Sequence, residues 1–108
     1  MKNIMQLMQK AQELQKKMEA LKEETKKLEF SSTSGGGLVK LVMNGDGQIL
    51  SIDLDDKVIK VEEKTLINDL IIAAYNDCRA KINQHNEDKA KDLTAGLPLP
   101  PGFKLPNF

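Results

Sequence analysis

The sequence predicts an α+β fold: a long N-terminal helix, a three-stranded antiparallel meander, a second long helix and an extended, Pro-rich C-terminal tail. Three observations predict it. A heptad-spaced apolar seam without a helix breaker fills residues 1–28, three short stretches of strand character separated by glycine turns occupy 29–54, and a broad apolar stripe of helical period returns over 62–90. The chain of 108 residues suits a single domain whose core is adequate but not generous, so burial against a second subunit would help it.

In the first helix one row is Ile4, Ala11, Met18 and Thr25, and the other is Leu7, Leu14, Leu21 and Leu28. The Ala and Thr of the first row are poor for a free-standing two-stranded zipper, so the seam is expected to pack on another element of the fold. Met1, Met5 and Met8 widen the apolar face at the N-terminal end, and that end is expected to meet a second chain. SSTSGGG ends the helical pattern because three consecutive glycines and a Ser/Thr run favour turn or extended backbone. LVKLVMN then alternates, placing Val39, Leu41 and Met43 on one face, and Asn-Gly in NGDG is a hairpin signal because it tolerates positive φ. QILSIDL supplies Leu50, Ile52 and Leu54 as the apolar face of the next strand, and Glu29 to Thr33 provides a strand ahead of the glycines. In the second helix Ile67, Ile71, Ala74, Cys78 and Ile82 form the stripe, with Leu66, Leu70, Ala73, Ile72 and Tyr75 widening it. A helix apolar over that much of its circumference is expected to be covered on two sides. Residues 95–108 read as a tail with four prolines, offering Leu97, Leu99, Phe103, Leu105 and Phe108 for docking.

Sixteen basic residues balance sixteen acidic ones, so net charge argues for no particular partner and local clusters must. Fifteen of the basic residues are Lys and one is Arg79, a composition suited to diffuse phosphate contact more than bidentate base reading. With three Phe, one Tyr and no Trp, a stacking platform for single strands is not expected. No leader-like or membrane-spanning run is apparent, and the single Cys78 cannot form an internal disulfide, so a cytosolic protein is the expectation. No catalytic constellation, metal site or cofactor loop is expected. His85 lies in a polar stretch and reads as a solvent-facing helix residue, Cys78 reads as a buried thiol on the stripe, and Gly35 to Gly37 lack the Gly-Lys-Ser/Thr of a phosphate loop. Asp53, Asp55 and Asp56 read as turn chemistry at a strand end. From composition alone, the lysines of the first helix describe a solvated face with Glu–Lys pairs.

Read together and in order, LMQKAQELQKKM, GGGLVKLVMNG, DLIIAAYNDCRAKI and LPPGFKLPNF resemble the YbaB/EbfC family of bacterial nucleoid-associated proteins, and the resemblance spans almost the whole chain. It implies a homodimer with helices projecting like tweezer arms around double-stranded DNA, and a role in nucleoid organisation and modulation of gene expression. On this basis Lys10, Lys16 and Lys17 of the first helix, with Arg79, Lys81, Lys89 and Lys91 of the second, are the expected phosphate contacts. Met5, Met8, Ile72, Tyr75 and Phe103 are the expected dimer contacts. No enzyme activity, small-molecule substrate, cofactor or membrane is expected, and the location implied is the cytoplasmic nucleoid. Cys78 stands where the family usually has a small residue such as Ala, and DDKVIKVEEK lacks the Asp-Pro that often follows the third strand. The alternative reading is a dimeric helical scaffold that binds a protein partner.

Overall fold

A computed structural model of the chain describes residues 2–95. Helix α1 spans Lys2–Lys26, strands β1, β2 and β3 span Glu29–Ser34, Val39–Asn44 and Ile49–Leu54, two 3-10 turns follow at Asp56–Val58 and Val61–Glu63, and helix α2 spans Lys64–Thr94. The sheet is antiparallel in the order β1-β2-β3, the expected meander. Its overall extents of 71 × 26 × 16 Å make the protomer strongly elongated. Helix α2 starts after Glu62 and Glu63, which form a 3-10 turn, and continues past the expected end at residue 90 to Thr94. Lys89, Ala90, Leu93 and Thr94 are half-buried there, which gives a polar sequence a reason to remain helical.

The core lies between α2 and the first two strands. Val39, Leu41, Met43, Ala74, Cys78 and Ile82 are buried, with Phe30, Leu54, Leu70 and Ile71 packed around them. Strand β1 meets α2 through serines. Ser34 Oγ donates to Leu70 O at 2.6 Å, Ser32 Oγ donates to Ala74 O at 2.6 Å, and Cys78 Sγ donates to Phe30 O at 3.3 Å. Four residues of helix rise ~6 Å and two residues of strand ~6.8 Å, so every second strand residue meets every fourth helix residue. Only side chains as short as Ser allow the helix so close, and each hydroxyl uses the second lone pair of a carbonyl already bonded within the helix. Ser32→Ala is expected to cost about 1 kcal/mol, read as a lower urea midpoint at unchanged slope.

Strand β3 is different, because α2 does not cover it. Ile52 pairs with Leu41, and so projects from the same face as the core, yet it is 43% exposed. A register shift between Val42 and Met43 sets Ile49 opposite Met43, where the alternation in QILSIDL predicts Leu50. Such a bulge breaks the period-2 pattern, and both Ile49 and Leu50 are about half exposed.

The β2–β3 turn also corrects the sequence reading. Asn44 Oδ1 accepts from the backbone N–H groups of Asp46 and Gln48, and Gly47, not Gly45, has the positive φ of 90°. Gly45 serves another purpose: a Cβ there would collide with the carbonyl of Thr25 in the last turn of α1. The close approach is tied by a bond from Gly45 N–H to Leu28 O of 3.2 Å. The turn before β2 takes positive φ at Gly35, Gly36 and Gly37, a conformation only glycine accepts three times in succession.

Candidate nucleic-acid interface

The two long helices run antiparallel beyond the sheet. Near its base, Thr25 Oγ1 of α1 lies 3.5 Å from His85 Nε2 of α2, and further out Leu14 and Leu93 line one cleft. His85 is therefore half-buried, with its ring edge-on to Phe30 at 5.4 Å, and not the solvent-facing residue expected from its polar neighbours. Along the seam of α1, Met18 and Thr25 are buried and Leu14 and Leu21 half-buried. Towards the N-terminus the seam is bare, with Ile4, Met5, Leu7 and Met8 at 60–69% exposed.

The basic residues divide into separate groups around this arm. Lys10 and Lys17 flank one cleft with Glu13, Asp92, Leu93 and Ala95. Lys16, about 100° further round the helix from Lys17, is exposed on the side away from buried Met18 and Thr25. On the opposite flank of the seam, Lys22 and Lys26 share a second cleft with Arg79, Asn83 and the β2–β3 turn. The Arg79 guanidinium lies over Gly47, with Nη1 2.6 Å from the position a Cβ would take there.

Lys81 is held elsewhere: its Nζ donates to Ser31 O at 2.8 Å and sits 3.6 Å from Asp77. It belongs to the β1 side of α2, well away from Arg79. Lys89 is half-buried and Lys91 is exposed in the last turn. The structure thus brings Arg79 to Lys22 and Lys26, a pair the sequence reading passed over, and Lys10 to Lys17. Their signal was available: Lys22 is four residues after Met18 and three before Thr25, so it borders the buried row and faces the neighbouring helix.

Of the expected dimer contacts, Met5, Met8, Ile72 and Tyr75 are exposed, while Phe103 lies outside the described residues along with the tail from residue 96. Ile72 and Tyr75 share the α2 flank that carries Arg79 over the β2–β3 turn, the flank towards uncovered β3. Among the described residues no group of three or more His, Cys, Asp or Glu could hold a metal, and no helix is long and apolar enough to cross a membrane.

A short sheet carrying a projecting, lysine-bearing helical arm describes a binding module, with its surface chemistry on helices and its core devoted to docking one of them. The chain belongs to the YbaB/EbfC DNA-binding family, whose profile matches residues 1–97. It is 47% identical over 106 residues to a nucleoid-associated protein of Bartonella tribocorum, covering 98% of this chain and 99% of the relative. A nucleoid-associated protein of Brucella anthropi is 46% identical over the same length and coverage. Among solved structures, the crystal structure of uncharacterized protein HP0035 from Helicobacter pylori superposes with a TM-score of 0.73 at 26% identity, covering 82% of this chain and 92% of that one. The family is defined by DNA binding and not by a catalysed reaction.

Proposed function

We propose that the protein is a nucleoid-associated protein that binds double-stranded DNA as a homodimer, mainly through phosphate contacts, and so contributes to nucleoid organisation and modulation of gene expression in the cytoplasm. The observation that carries this reading is the match of residues 1–97 to a DNA-binding family. Charge distribution supports it: α1 holds six lysines against four glutamates, whereas residues 49–63 hold five acids against two lysines. A neutral chain thus offers duplex DNA a positive helix and keeps its acids near the exposed strand. Lys10, Lys16, Lys17, Arg79, Lys89 and Lys91 are the contacts we assign; Lys81, engaged with Ser31 and Asp77, is the weakest of the original set.

The second subunit has a natural seat on β3. Ile49, Ile52 and Ile72 are about half exposed and Tyr75 is 37% exposed, an apolar wedge between the edge strand and α2 in a protein too small to leave it bare cheaply. Among the described residues β3 is an edge strand, and its outer edge adds backbone groups that a partner could satisfy. A two-fold axis would double every basic cluster.

The test is fluorescence anisotropy of a short labelled duplex over a salt series, with unlabelled competitors of different sequence. Binding is expected to weaken with salt at a slope of about 0.9 per neutralised phosphate and to be nearly indifferent to sequence. A folded protein that leaves the duplex free at low salt would overturn the reading. The bare α1 row of Ile4, Met5, Leu7 and Met8 favours the alternative, a protein-binding scaffold, and partner capture that survives high salt without duplex binding would select it.

A further inference from the structure

We propose that the cleft between the last turns of α1, the β2–β3 turn and α2 is a seat for one phosphate group, gripped by Lys22, Lys26 and Arg79. The source of that phosphate, the DNA backbone, rests on the function proposed above; the chemistry of the seat does not. The cleft measures about 340 Å³, enough for a phosphate with part of its hydration. Lys22, Lys26 and Arg79 line it against one acid, Asp46, a local charge of three minus one, or +2, in a chain whose net charge is zero.

Arg79 is the anchor. Gly47 has no side chain, so the end of the half-buried residue Arg79 comes up against the turn, and among the described residues no carboxylate pairs with it. With Nη1 directed end-on at the turn, the Nε–H and Nη2 edge is the part of the guanidinium left for an incoming oxyanion, and that edge can take phosphate in the bidentate way. Lys22 and Lys26 stand at i and i+4 on α1, a like-charge pair that costs a helix stability unless an anion lies between them. Lys26 has a neighbour in Glu23 at 3.4 Å, but that pair is exposed and too weak to hold the lysine from a phosphate. Asn83 adds an amide donor on the α2 side.

The turn itself donates nothing to the seat. The N–H groups of Asp46 and Gln48 are spent on Asn44 Oδ1, that of Gly47 on Asn44 O, and that of Gly45 on Leu28 O. Recognition therefore depends on side chains, and the shape of Arg79 matters as well as its charge.

The experiment uses the full chain, labelled with nitrogen-15, titrated separately with inorganic phosphate and with a short duplex. Shifts concentrated at Gly45, Asp46, Gly47 and the Arg79 Nε–H group are expected in both titrations. In parallel, Arg79→Lys, Arg79→Gln and the double change Lys22→Gln/Lys26→Gln are compared with Lys10→Gln/Lys17→Gln by duplex anisotropy. Arg79→Gln is expected to weaken the duplex about tenfold and to lower the salt slope by about 0.9 per protomer, with Arg79→Lys recovering only part of the loss. The lysine double variant, whose residues are exposed, keeps the test independent of any effect of Arg79 on the turn. Phosphate shifts at the cleft without duplex binding would remove the DNA reading and leave a seat for a free phosphoester. Duplex binding unaltered by all three cleft variants, or phosphate shifts spread evenly over the lysines, would overturn the seat and leave the DNA reading standing.

Discussion

Gly45→Ala is expected to destabilise the protein by about 3 kcal/mol, lowering the melting temperature by on the order of 15 °C, as followed by the helical circular dichroism signal. The added methyl would meet the backbone carbonyl of Thr25, which cannot rotate away as a side chain could. Either α1 lifts off the hairpin or the hairpin opens, and both break the bond from Gly45 N–H to Leu28 O. Gly47→Ala is the control: its positive φ is strained for alanine, but its only close neighbour is the flexible end of Arg79, so a loss of about 1 kcal/mol is expected. Equal losses at the two positions would show that α1 does not rest on the turn in this way.

Ile52→Lys is expected to abolish self-association while leaving the protomer folded. The side chain projects beside Leu41 but stays 43% exposed in the protomer, so lysine can reach water there and is excluded only when a partner closes over it. Light scattering coupled to size exclusion should move from twice the protomer mass to one. The same change in Leu41, which is fully buried, should instead unfold the chain. A dimer that persists in Ile52→Lys would move the interface to the bare N-terminal end of α1. Loss of the dimer should also weaken duplex binding steeply, because each basic cluster then acts alone.

The order of elements was legible because it depends on short-range signals. Heptad spacing marked α1, alternation marked β2, and glycines marked the turns. What could not be read depends on which way a surface is covered. Lys16 and Lys17 are adjacent in sequence but about 100° apart round the helix, and the seam marks Lys17, three residues after Leu14, as its neighbour without indicating that α2 is the element that covers it. Lys81 looks like its basic neighbours until β1 supplies the Ser31 carbonyl. The bulge that exchanges Leu50 for Ile49 leaves no trace in a stretch where both are apolar. Gly45 belonged to a recognised hairpin motif, yet its reason for being glycine is a contact with α1 twenty residues earlier.

The serine rungs under α2 have a mechanical consequence. They clamp Leu70 to Cys78 onto the sheet, whereas beyond His85, whose ring still meets Phe30 of β1, the helix runs on past the sheet to Thr94, an arm on the order of 14 Å long. A tilt of roughly 5° at the clamp would swing the far end by about 1.2 Å over that length. In the dimer proposed above, the opening between two such arms would thus be set at β1, a strand that need never touch the DNA they would hold. Substitutions at Ser32 and Ser34 would adjust the gauge of the grip, and the width of duplex it accepts, without altering one of its charges.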